Sequence, residues 1–512
     1  MFIPTNLVDY LIYSAEKTPN KIAVMFEDKN ISYSEIHELT NRAANALIEC
    51  GLKRGDRVVL CLDNRLETIF LFWAVLKANA IVSVINPNIQ LEKLIYIIKD
   101  SGAKFLFVKD KTVFDELSKV QSNLESVMLI NNEHSNNYET LLQHSNDQLP
   151  LRKTIDIDLA AIVYTSGSTS VPKGVMLSQR NMLTASASIR EYLQLRQEDI
   201  IISALPLSFD YGLYQMILTF QTGATLLLEK DFTWPIQFIK KIAEKKATVL
   251  PGVPTLFSIL ANHLPKLSYD LSSIRCVTNT GAALLQRHVS IIQALFPTAH
   301  IYSMYGLTEC KRCTYLPPAD IHKKIDSVGI AIPNTEMWIV DDENKKLNPH
   351  EFGQLVIRGA TVMQGYWNKP IESERALRDG LLPGEKVLYT GDYGYLDDQG
   401  YFYFSGRMDE TIKRFGEKVS LKEIERTVYL FPLVNEVAVI DVPDELTGSA
   451  IIVFVSTSKR NQELINEILS HCKSKLPKTH WPHDIQLLNE LPKNINGKFD
   501  KQLLKQHYLQ RQ

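Results

Sequence analysis

Short apolar runs rich in β-branched residues alternate with stretches of helical periodicity through the first four hundred residues of this sequence. Strand-like runs lie at residues 57–62, 80–85, 104–108 and 247–250. One helical face between them carries Ile36, Leu39, Ala43 and Leu47. Ser34 is predicted to cap this helix and Gly51 to end it. The alternation is typical of helices layered on largely parallel strands, so the fold class is predicted to be α/β.

The length predicts more than one domain, because the chain has 512 residues and a single hydrophobic core stops growing at roughly 250–300 residues. A boundary is predicted near Arg407, where the strand-like run 400–406 ends and a charged connector begins. The pattern that follows, a helix, two strands and a helix, is typical of a small α+β unit. We therefore predict a large N-terminal domain at 1–406 and a small, mobile C-terminal domain at 407–512.

The charge balance and the N-terminus exclude several classes of protein. Lys and Arg number 56 against 58 Asp and Glu, and no long basic run occurs, so nucleic acid is not an expected partner. The first residues lack a basic segment followed by an apolar one, and no uncharged apolar run reaches the ~18–20 residues of a membrane span. The sequence predicts a cytoplasmic protein without a membrane span.

The six cysteines are scattered and do not form a disulfide framework, which favours a reducing compartment. Cys310 and Cys313 make a single C-x-x-C pair. A zinc or redox site would need a second pair or histidines at suitable spacing. Metal or redox use of this pair is therefore kept only as a minor alternative.

A run of small residues follows an apolar strand at Tyr164–Val175 and predicts a phosphate-binding loop. Such a loop presents backbone N–H groups and hydroxyls to phosphate oxygens, and a lysine can neutralise them. Lys173 precedes Gly174 rather than Ser or Thr, so this is not the Walker pattern. A flexible polar loop remains the alternative when the segment is taken alone.

Three further motifs carry groups suited to a nucleotide. The segment 305–309 follows a strand-like run and offers the Thr308 hydroxyl for phosphate and the Glu309 carboxylate for Mg²⁺. Asp392, in the segment Tyr-Thr-Gly-Asp, has a carboxylate of the kind that holds ribose hydroxyls. Lys498 lies on a glycine turn near the C-terminus.

In this order and spacing the four motifs resemble the adenylate-forming superfamily, which includes acyl-CoA synthetases, stand-alone amino-acid adenylation enzymes and firefly luciferase. The resemblance extends from Gly55 to Lys498. It implies an AMP-forming acid:thiol ligase. ATP and a carboxylic acid would give acyl-AMP and pyrophosphate, and the thiol of CoA or of a carrier-protein phosphopantetheine would then displace AMP.

The resemblance also implies roles in nucleotide binding. The loop for the β- and γ-phosphates matches Thr165, Ser166, Gly167, Ser168, Thr169 and Lys173. Thr308 and Glu309 match the residues that bind phosphate and Mg²⁺. The adenine side matches Tyr305 and the segment Gly281, Ala282 and Ala283, and the ribose ligands match Asp392 and Arg407.

Catalytic and thiol-binding residues follow from the same resemblance. Lys498 matches the lysine that bridges the substrate carboxylate and the α-phosphate. Its charge, with Mg²⁺, would screen two anions that otherwise repel each other. Asp409 matches the hinge between two orientations of the C-terminal domain, and Gly416 and Lys418 match the loop that lines the tunnel for the pantetheine arm. The alternative for Asp409 and Lys418 is that they are surface charges.

The sequence departs from the family at two places. Ser170 stands where the family usually has glycine, and a serine there still offers a hydroxyl. Phe209 stands where fatty and aryl acyl-CoA synthetases commonly have histidine, whereas amino-acid adenylation enzymes have Phe-Asp. Asp210 can therefore bind a substrate amine, cap a helix starting at Tyr211, or belong to a branch that activates a different acid.

The predicted acyl pocket consists of Phe209, Asp210, Tyr211, Met304, Arg312 and Cys313. Arg312 is interpreted either as a partner for a second acid group or as a member of a structural ion pair. The ion pair is preferred because charges are rarely buried without a partner. The stretches 205–213 and 305–318 also resemble bacterial acyl ligases associated with exosortase systems, and this likeness implies no particular substrate.

The acceptor and the competing functions stay open at this point. The sequence runs fourteen residues beyond Lys498, so a carrier protein is expected to act in trans if CoA is not the acceptor. A non-catalytic nucleotide-binding relative is a second interpretation, and Lys498 and Glu309 count against it. An oxygenase of the luciferase type is a third. The acid and the oligomeric state do not follow from the sequence.

Overall fold

The structure is a computed structural model, and the residues that it describes are 3–117, 119, 124–130, 142, 146–165, 171–263, 269–282, 284–407, 411–414, 417–444, 448–457, 459–493 and 499–510. The helices are Val8–Lys17 (α1), Tyr33–Glu49 (α2), Leu66–Lys77 (α3), Leu91–Ser101 (α4), Lys111–Leu117 (α5), Gln179–Leu193 (α6), Asp210–Thr222 (α7), Pro235–Lys245 (α8), Pro254–His263 (α9), Gln286–Leu295 (α10), Pro370–Ala376 (α11), Leu421–Tyr429 (α12), Gln462–Lys475 (α13) and Lys501–Leu509 (α14). Short 3-10 helices lie at Pro318–Asp320 and Lys478–His480.

The strands of the N-terminal half are Ile22–Phe26 (β1), Lys29–Ser32 (β2), Arg57–Cys61 (β3), Ile81–Ile85 (β4), Phe105–Val108 (β5), Ser126–Leu129 (β6), Leu159–Thr165 (β7), Lys173–Ser178 (β8), Ile200–Ser203 (β9), Thr225–Leu228 (β10), Val249–Gly252 (β11), Cys276–Asn279 (β12), His300–Leu307 (β13) and Cys310–Leu316 (β14). The remaining strands are Ile330–Ala331 (β15), Thr335–Val340 (β16), Gly353–Gly359 (β17), Leu377–Asp379 (β18), Lys386–Leu396 (β19), Phe402–Arg407 (β20), Thr411–Arg414 (β21), Glu417–Ser420 (β22), Glu436–Asp444 (β23), Gly448–Ser456 (β24) and Asp484–Leu488 (β25).

Two large sheets carry the predicted parallel strands. A nine-stranded sheet has the order β15-β14-β13-β12-β11-β9-β10-β1-β2, and its pairs from β13 to β1 are parallel. A six-stranded sheet has the order β6-β5-β3-β4-β7-β8 and ends in the antiparallel β7–β8 hairpin. Helices α8, α9 and α10 bury apolar residues against the larger sheet. These layers confirm the α/β class expected from the alternating pattern.

Helix α2 illustrates how the sequence sets local structure. Its N-cap is Ser32, whose Oγ accepts from the backbone N–H of Glu35 while the Glu35 carboxylate accepts from the Ser32 N–H. This reciprocal capping box satisfies two N–H groups that a helix start leaves unpaired. The prediction of Ser34 as the cap was therefore wrong by two residues, because the capping box begins at Ser32. Gly51 follows the helix with φ of 99° and suits the predicted stop.

The chain divides into two compact units. The first comprises residues 1–337, 356–389 and 399–402, and the second comprises 338–355, 390–398 and 403–512. The second unit thus contains the whole of the predicted C-terminal domain together with shorter segments before it. The boundary at residue 407 stays a prediction.

The core of the second unit lies on both faces of the three-stranded sheet β23-β24-β25. Alternate residues of β23 point to opposite faces, as the two-residue repeat of a strand requires. Val437 and Val439 pack with α12 and α13, whereas Ala438 and Ile440 pack with α14. None of the described helices in either unit is long and apolar enough to span a bilayer.

Candidate active site

The ends of the predicted phosphate loop meet in the β7–β8 hairpin. Thr165 and Lys173 are directly paired across it, and the Thr165 hydroxyl lies 3.5 Å from the Lys173 carbonyl oxygen, to which it donates. Lys173 and Gly174 are the first two residues of β8. Ser166, Gly167, Ser168, Thr169 and Ser170 lie outside the described residues. The hairpin therefore pairs the two residues, Thr165 and Lys173, that bound the predicted phosphate-binding segment.

The Thr308–Glu309 pair forms the turn between β13 and β14. Strand β13 continues through Leu307, three residues beyond its expected end at Met304, because it pairs with β14 on the far side of the turn. Glu309 is half-buried, and its Oε1 accepts a hydrogen bond of 2.7 Å from the Tyr366 hydroxyl. The turn therefore holds the carboxylate in a fixed orientation beside a hydroxyl.

Tyr366 contacts both Lys173 and Glu309, and these three residues are called the phosphate side below. Its ring centroid lies 5.4 Å from the Lys173 Nζ, while its hydroxyl donates to Glu309. The backbone around it runs along β8, where the Trp367 N–H donates to the Gly174 carbonyl at 2.7 Å. The sequence reasoning missed Tyr366. The signal available for it was the pair of aromatic residues after Gly365, whose φ of 129° favours glycine.

A magnesium site would be built around Glu309. Among the described residues no group of three or more His, Cys, Asp or Glu side chains could hold a metal ion. Mg²⁺ is commonly bound by one or two carboxylates together with substrate phosphates. A half-buried carboxylate oriented by Tyr366 fits that donor set, so Glu309 would hold Mg²⁺ with the phosphates of a bound nucleotide.

The predicted adenine side contains exposed backbone at Gly281 and Ala282, and Ala283 lies outside the described residues. The Asn279 amide Nδ2 donates to the Ala282 carbonyl at 3.0 Å and fixes this segment. The Tyr305 ring lies 5.8 Å from the Phe402 ring. These contacts hold an aromatic wall and an open backbone segment in the first unit.

The predicted ribose ligands contact each other within the second unit. The buried carboxylate of Asp392 lies 3.2 Å from the Nε of Arg407, which is 45% exposed. Gly391 has φ of 74°, and the Asp392 N–H donates to the Thr390 hydroxyl. Strand β19 therefore carries an ion-paired carboxylate at the residue for which the resemblance predicts ribose contacts.

Asp210 is not the helix cap that one interpretation proposed. Helix α7 begins at Asp210 itself, and Phe209 occupies the N-cap position. The Asp210 carboxylate lies 3.0 Å from the Nζ of Lys311, and the two side chains are only 14% and 5% exposed. Burial lowers the pKa of Lys311 to about 8, although the Asp210 carboxylate opposes this shift. Lys311 was absent from the predicted pocket, and sequence reasoning missed this pair.

Among the residues that the structure describes, Arg312 has no partner for the structural ion pair that was preferred for it. It is 3% exposed, and its guanidinium carbon lies 5.2 Å from the centroid of the Tyr211 ring. Its Nε has no hydrogen-bond partner among the described residues, nor does any described carboxylate pair with it. The neighbouring residue Lys311 forms an ion pair instead, with Asp210.

The other residues of the predicted acyl pocket contact neighbouring side chains or backbone of the fold. Tyr211 is fully buried, and its hydroxyl shares a hydrogen bond of 2.6 Å with Thr278. Met304 Sδ accepts from the Tyr192 hydroxyl at 3.1 Å. The Cys313 thiol donates to the Cys310 carbonyl. Phe209 is half-buried, with its ring 6.4 Å from that of Tyr211.

The two cysteines of the C-x-x-C pair serve packing in this structure. Both are fully buried, and the Cys310 thiol lies 3.2 Å from the Thr361 hydroxyl. Each sulfur therefore contacts an oxygen atom of the fold. The geometry supports a structural use of the pair rather than the metal or redox alternative.

The residues that carry the predicted transfer chemistry lie largely outside the described part of the chain. Lys498, Asp409 and Gly416 are outside it. Lys418 lies in β22 opposite Lys413, and only its backbone is described. Their roles therefore stay predictions.

Profiles of two known protein families match this chain. The profile described as AMP-binding enzyme matches residues 11–367, and the profile described as AMP-binding enzyme C-terminal domain matches residues 423–498. The second match begins beyond the predicted domain boundary and ends at Lys498. Together they span most of the chain.

Similar proteins include both acyl-CoA ligases and a much longer synthase. A long-chain-fatty-acid–CoA ligase of Bacillus subtilis (strain 168) is 28% identical over 528 residues, which cover 96% of this chain and 92% of the ligase. Tyrocidine synthase 2 of Brevibacillus parabrevis is 29% identical over 495 residues, which cover 96% of this chain and 13% of that protein. The crystal structure of ATP-bound MatB from Rhodopseudomonas palustris is 27% identical, with a TM-score of 0.90 and 99% coverage of both chains.

Proposed function

The chain belongs to the AMP-binding enzyme family, and on that premise we propose that it is an AMP-forming acid:thiol ligase. ATP and a carboxylic acid are converted to acyl-AMP and pyrophosphate, and a thiol then takes the acyl group. The observation that carries the proposal is the set of contacts from Lys173 through Tyr366 to Glu309. They support the proposal because one tyrosine contacts both a lysine at the end of the expected triphosphate-binding segment and the carboxylate expected to bind Mg²⁺.

The first step joins two anions and therefore needs their charges screened. A carboxylate oxygen forms a bond to the α-phosphorus, and the bond from that phosphorus to the β-phosphate oxygen breaks to release pyrophosphate. Lys173 neutralises charge on the phosphates, and Tyr366 orients the Glu309 carboxylate. Bound Mg²⁺ supplies further positive charge to the departing phosphates. Lys498 is assigned to the reacting carboxylate and the α-phosphate.

The second step transfers the acyl group to sulfur. The thiolate forms a bond to the acyl carbon, the bond from that carbon to the AMP oxygen breaks, and AMP leaves with its electron pair. The acceptor is CoA or the phosphopantetheine of a separate carrier protein, presented by way of residues 416–418. The C-terminal domain, residues 407–512, changes orientation between the steps.

The contact between Asp210 and Lys311 favours an acid without an α-amine. A substrate ammonium placed against Asp210 would compete with the Lys311 ammonium, which lies 3.0 Å from that carboxylate. It would also stand near Arg312, whose charge is not balanced by another described carboxylate. Like charges at such separations repel strongly where water is excluded. Loading of an amino acid onto a carrier protein is therefore the less supported alternative.

ATP–pyrophosphate exchange tests the proposed function directly. The purified full chain is assayed with one pool of amino acids and one pool of linear, branched and aromatic carboxylic acids. We expect exchange with the second pool only. Exchange with the amino-acid pool that is lost in Asp210→Ala would restore the amine interpretation of Asp210. ATP binding without exchange on either pool would contradict the ligase and support a non-catalytic relative.

Lys498→Ala tests the assignment of the transfer lysine. Because its charge is needed mainly in the transition state, we expect exchange to fall by about 10²–10³-fold. ATP affinity, measured by calorimetry, is expected to change by less than threefold. Lys493→Ala serves as the matched control, since Lys493 pairs with Glu436 in the second unit. Normal acyl-AMP formation by Lys498→Ala would contradict its role.

A further inference from the structure

The acyl side of the first unit consists of Asp210, Tyr211 and Tyr214 on α7 and of Lys311 and Arg312 on β14. Among these residues there is more positive than negative charge. Lys311 and Arg312 lie in consecutive positions of β14 and are both almost fully buried, and among the described carboxylates Asp210 pairs with Lys311. The Lys311–Asp210 pair is neutral as a unit. The Arg312 charge is left without an anion among the described residues, in a place where an unpaired charge strongly destabilises a fold.

A bulge in β14 directs both cations toward helix α7. Tyr305 pairs with Thr314 and Leu307 pairs with Cys310, so three residues of β14 lie opposite Gly306 alone. In a regular strand, consecutive side chains would point to opposite faces. Here Lys311 lies 4.8 Å from the ring of Tyr214 and Arg312 lies 5.2 Å from that of Tyr211, both on α7.

The bulge holds Arg312 in a strained backbone conformation. Its φ is 60°, in the left-handed region that a residue with a side chain rarely adopts. Gly306 makes room for it, because a Cβ at position 306 would lie 3.0 Å from the Arg312 Cα. Strain of this kind persists where the surrounding structure fixes it, and it is concentrated at ligand-binding positions.

Two hydrogen-bond donors in this cluster lack an acceptor. The Nε of Arg312 and the hydroxyl of Tyr214 are both buried with no partner among the described residues. The neighbouring hydroxyls differ, since Tyr211 bonds to Thr278 and Tyr192 bonds to Met304. Buried polar groups are nearly always paired, so two orphaned donors beside an unbalanced cation indicate an absent anionic acceptor.

We propose that Arg312, with Tyr214, binds a second carboxylate on the tail of the activated acid, so that the substrate is a dicarboxylic acid. This proposal rests on the proposed function, because the other carboxylate is the one that is adenylated. A carboxylate matches the planar fork of the guanidinium and accepts several hydrogen bonds. Its single charge also balances the single excess charge of the cluster, whereas a phosphate dianion would reverse it.

The location suits the tail of an acid rather than its reacting end. Arg312 lies three residues after Glu309, near the start of β14, and even a fully extended chain advances at most ~3.3–3.6 Å per residue. Glu309 and Arg312 are therefore separated by only a short length of chain. In the proposed function Glu309 serves the nucleotide phosphates at one end of this stretch, and Arg312 lies at the other end.

The test compares acids matched in every respect but the second carboxylate. ATP–pyrophosphate exchange is measured with linear monocarboxylic acids and with α,ω-dicarboxylic acids of the same chain length, for the native protein, Arg312→Gln and Arg312→Lys. Arg196→Gln, an exposed arginine, is the matched control. We expect kcat/KM for the best dicarboxylic acid to exceed that of its monocarboxylic partner by about 10²-fold or more, because a site built to bond a polar group rejects the analogue that lacks it.

Arg312→Gln is expected to remove this preference mainly through KM, and Arg312→Lys to restore part of it. Thermal unfolding supplies a second readout, because loss of an unbalanced buried charge leaves Tm unchanged or higher in Arg312→Gln. Exchange with monocarboxylic acids alone, unaltered by Arg312→Gln, would overturn this inference and leave the ligase standing. A fall in Tm of several degrees without a dicarboxylate preference would make Arg312 structural. No exchange with any acid would overturn the ligase and the inference together.

Discussion

The phosphate side and the acyl side of the first unit treat their charged groups in opposite ways. On the phosphate side, Lys173, Tyr366 and Glu309 are half-buried, and Tyr366 contacts both of the charged groups. On the acyl side, Lys311 and Arg312 are buried, and one of the two charges lacks a described anion. The first arrangement is stable without ligand and suits a nucleotide that every member of a family shares. The second is completed only by a particular acid, so it determines specificity.

The largest expected effect comes from Lys311→Met, which removes the cation that lies 3.0 Å from the Asp210 carboxylate. Breaking a buried ion pair in this way costs about 3–5 kcal/mol. The free energy of unfolding from urea denaturation is expected to fall by that amount. The exposed residue Lys323 provides the control, and Lys323→Met should fall within about 0.5 kcal/mol of the native protein. An equally small change in Lys311→Met would show that the pair does not stabilise the fold.

Glu309→Gln affects catalysis on the phosphate side. We expect exchange to decrease by about 10²–10³-fold through kcat, as found when one group that stabilises transition-state charge is removed. The decrease should be the same for every acid, since Glu309 serves the nucleotide. Glu343→Gln, at an exposed position, is the control. A decrease confined to dicarboxylic acids would mean that the two sides are not separate in function.

The pH dependence distinguishes the sides through Lys311. Burial lowers its pKa to about 8, with Asp210 opposing and Arg312 reinforcing the shift. Because the folded pKa is below the unfolded value of ~10.4, the unfolded chain binds more protons between these values. This group therefore makes stability rise as pH increases from about 8 toward 10.

Deprotonation of Lys311 also changes the net charge of the site proposed to bind the second carboxylate. Above pH 8 the loss of the Lys311 proton leaves Asp210 and Arg312 balanced, so the preference for a dicarboxylic acid should fall, by less than tenfold per pH unit. The ratio of kcat/KM for matched acids between pH 6.5 and 9 measures it. The other groups that face Lys311 are Tyr214 and Cys313. If this ratio of kcat/KM does not change with pH, Lys311 does not contribute to the preference for a dicarboxylic acid.

Tyr366→Phe is expected to have the smallest effect. It removes the hydrogen bond to Glu309 and keeps the ring beside Lys173. A single hydrogen bond contributes about 0.5–1.5 kcal/mol, so kcat/KM should fall about 2–12-fold for every acid. Full activity would show that the turn alone orients Glu309.

Some of these features could be predicted from the sequence and others could not. The α/β class and the Thr308–Glu309 motif were readable because strand runs and polar strand ends are local patterns. Tyr366 was missed because an aromatic residue after Gly365 is equally typical of a packed turn. Lys311 was missed because alternation along a strand places it on the face opposite Arg312. The bulge that brings both to α7 depends on a left-handed backbone at Arg312, which its residue type does not indicate.

A cluster in the second unit shows how this protein pairs a buried carboxylate. Burial raises the pKa of Glu425, but Lys422 and Lys501, at 2.6 and 2.7 Å from its oxygens, outweigh burial and lower that pKa to about 2. Here the carboxylate has two cations and a backbone N–H from Val439. Arg312 has no such partner among the described residues.

The most direct test of the central claim follows an oxygen atom from the acid to AMP. An acid that sustains exchange is labelled with ¹⁸O in the carboxylate to be activated and incubated with ATP, Mg²⁺ and CoA or a carrier protein, and the products are analysed by mass spectrometry. Formation of acyl-AMP followed by attack of the thiol predicts one ¹⁸O atom in AMP and none in pyrophosphate. Release of ADP, with the label in inorganic phosphate, would contradict an AMP-forming ligase.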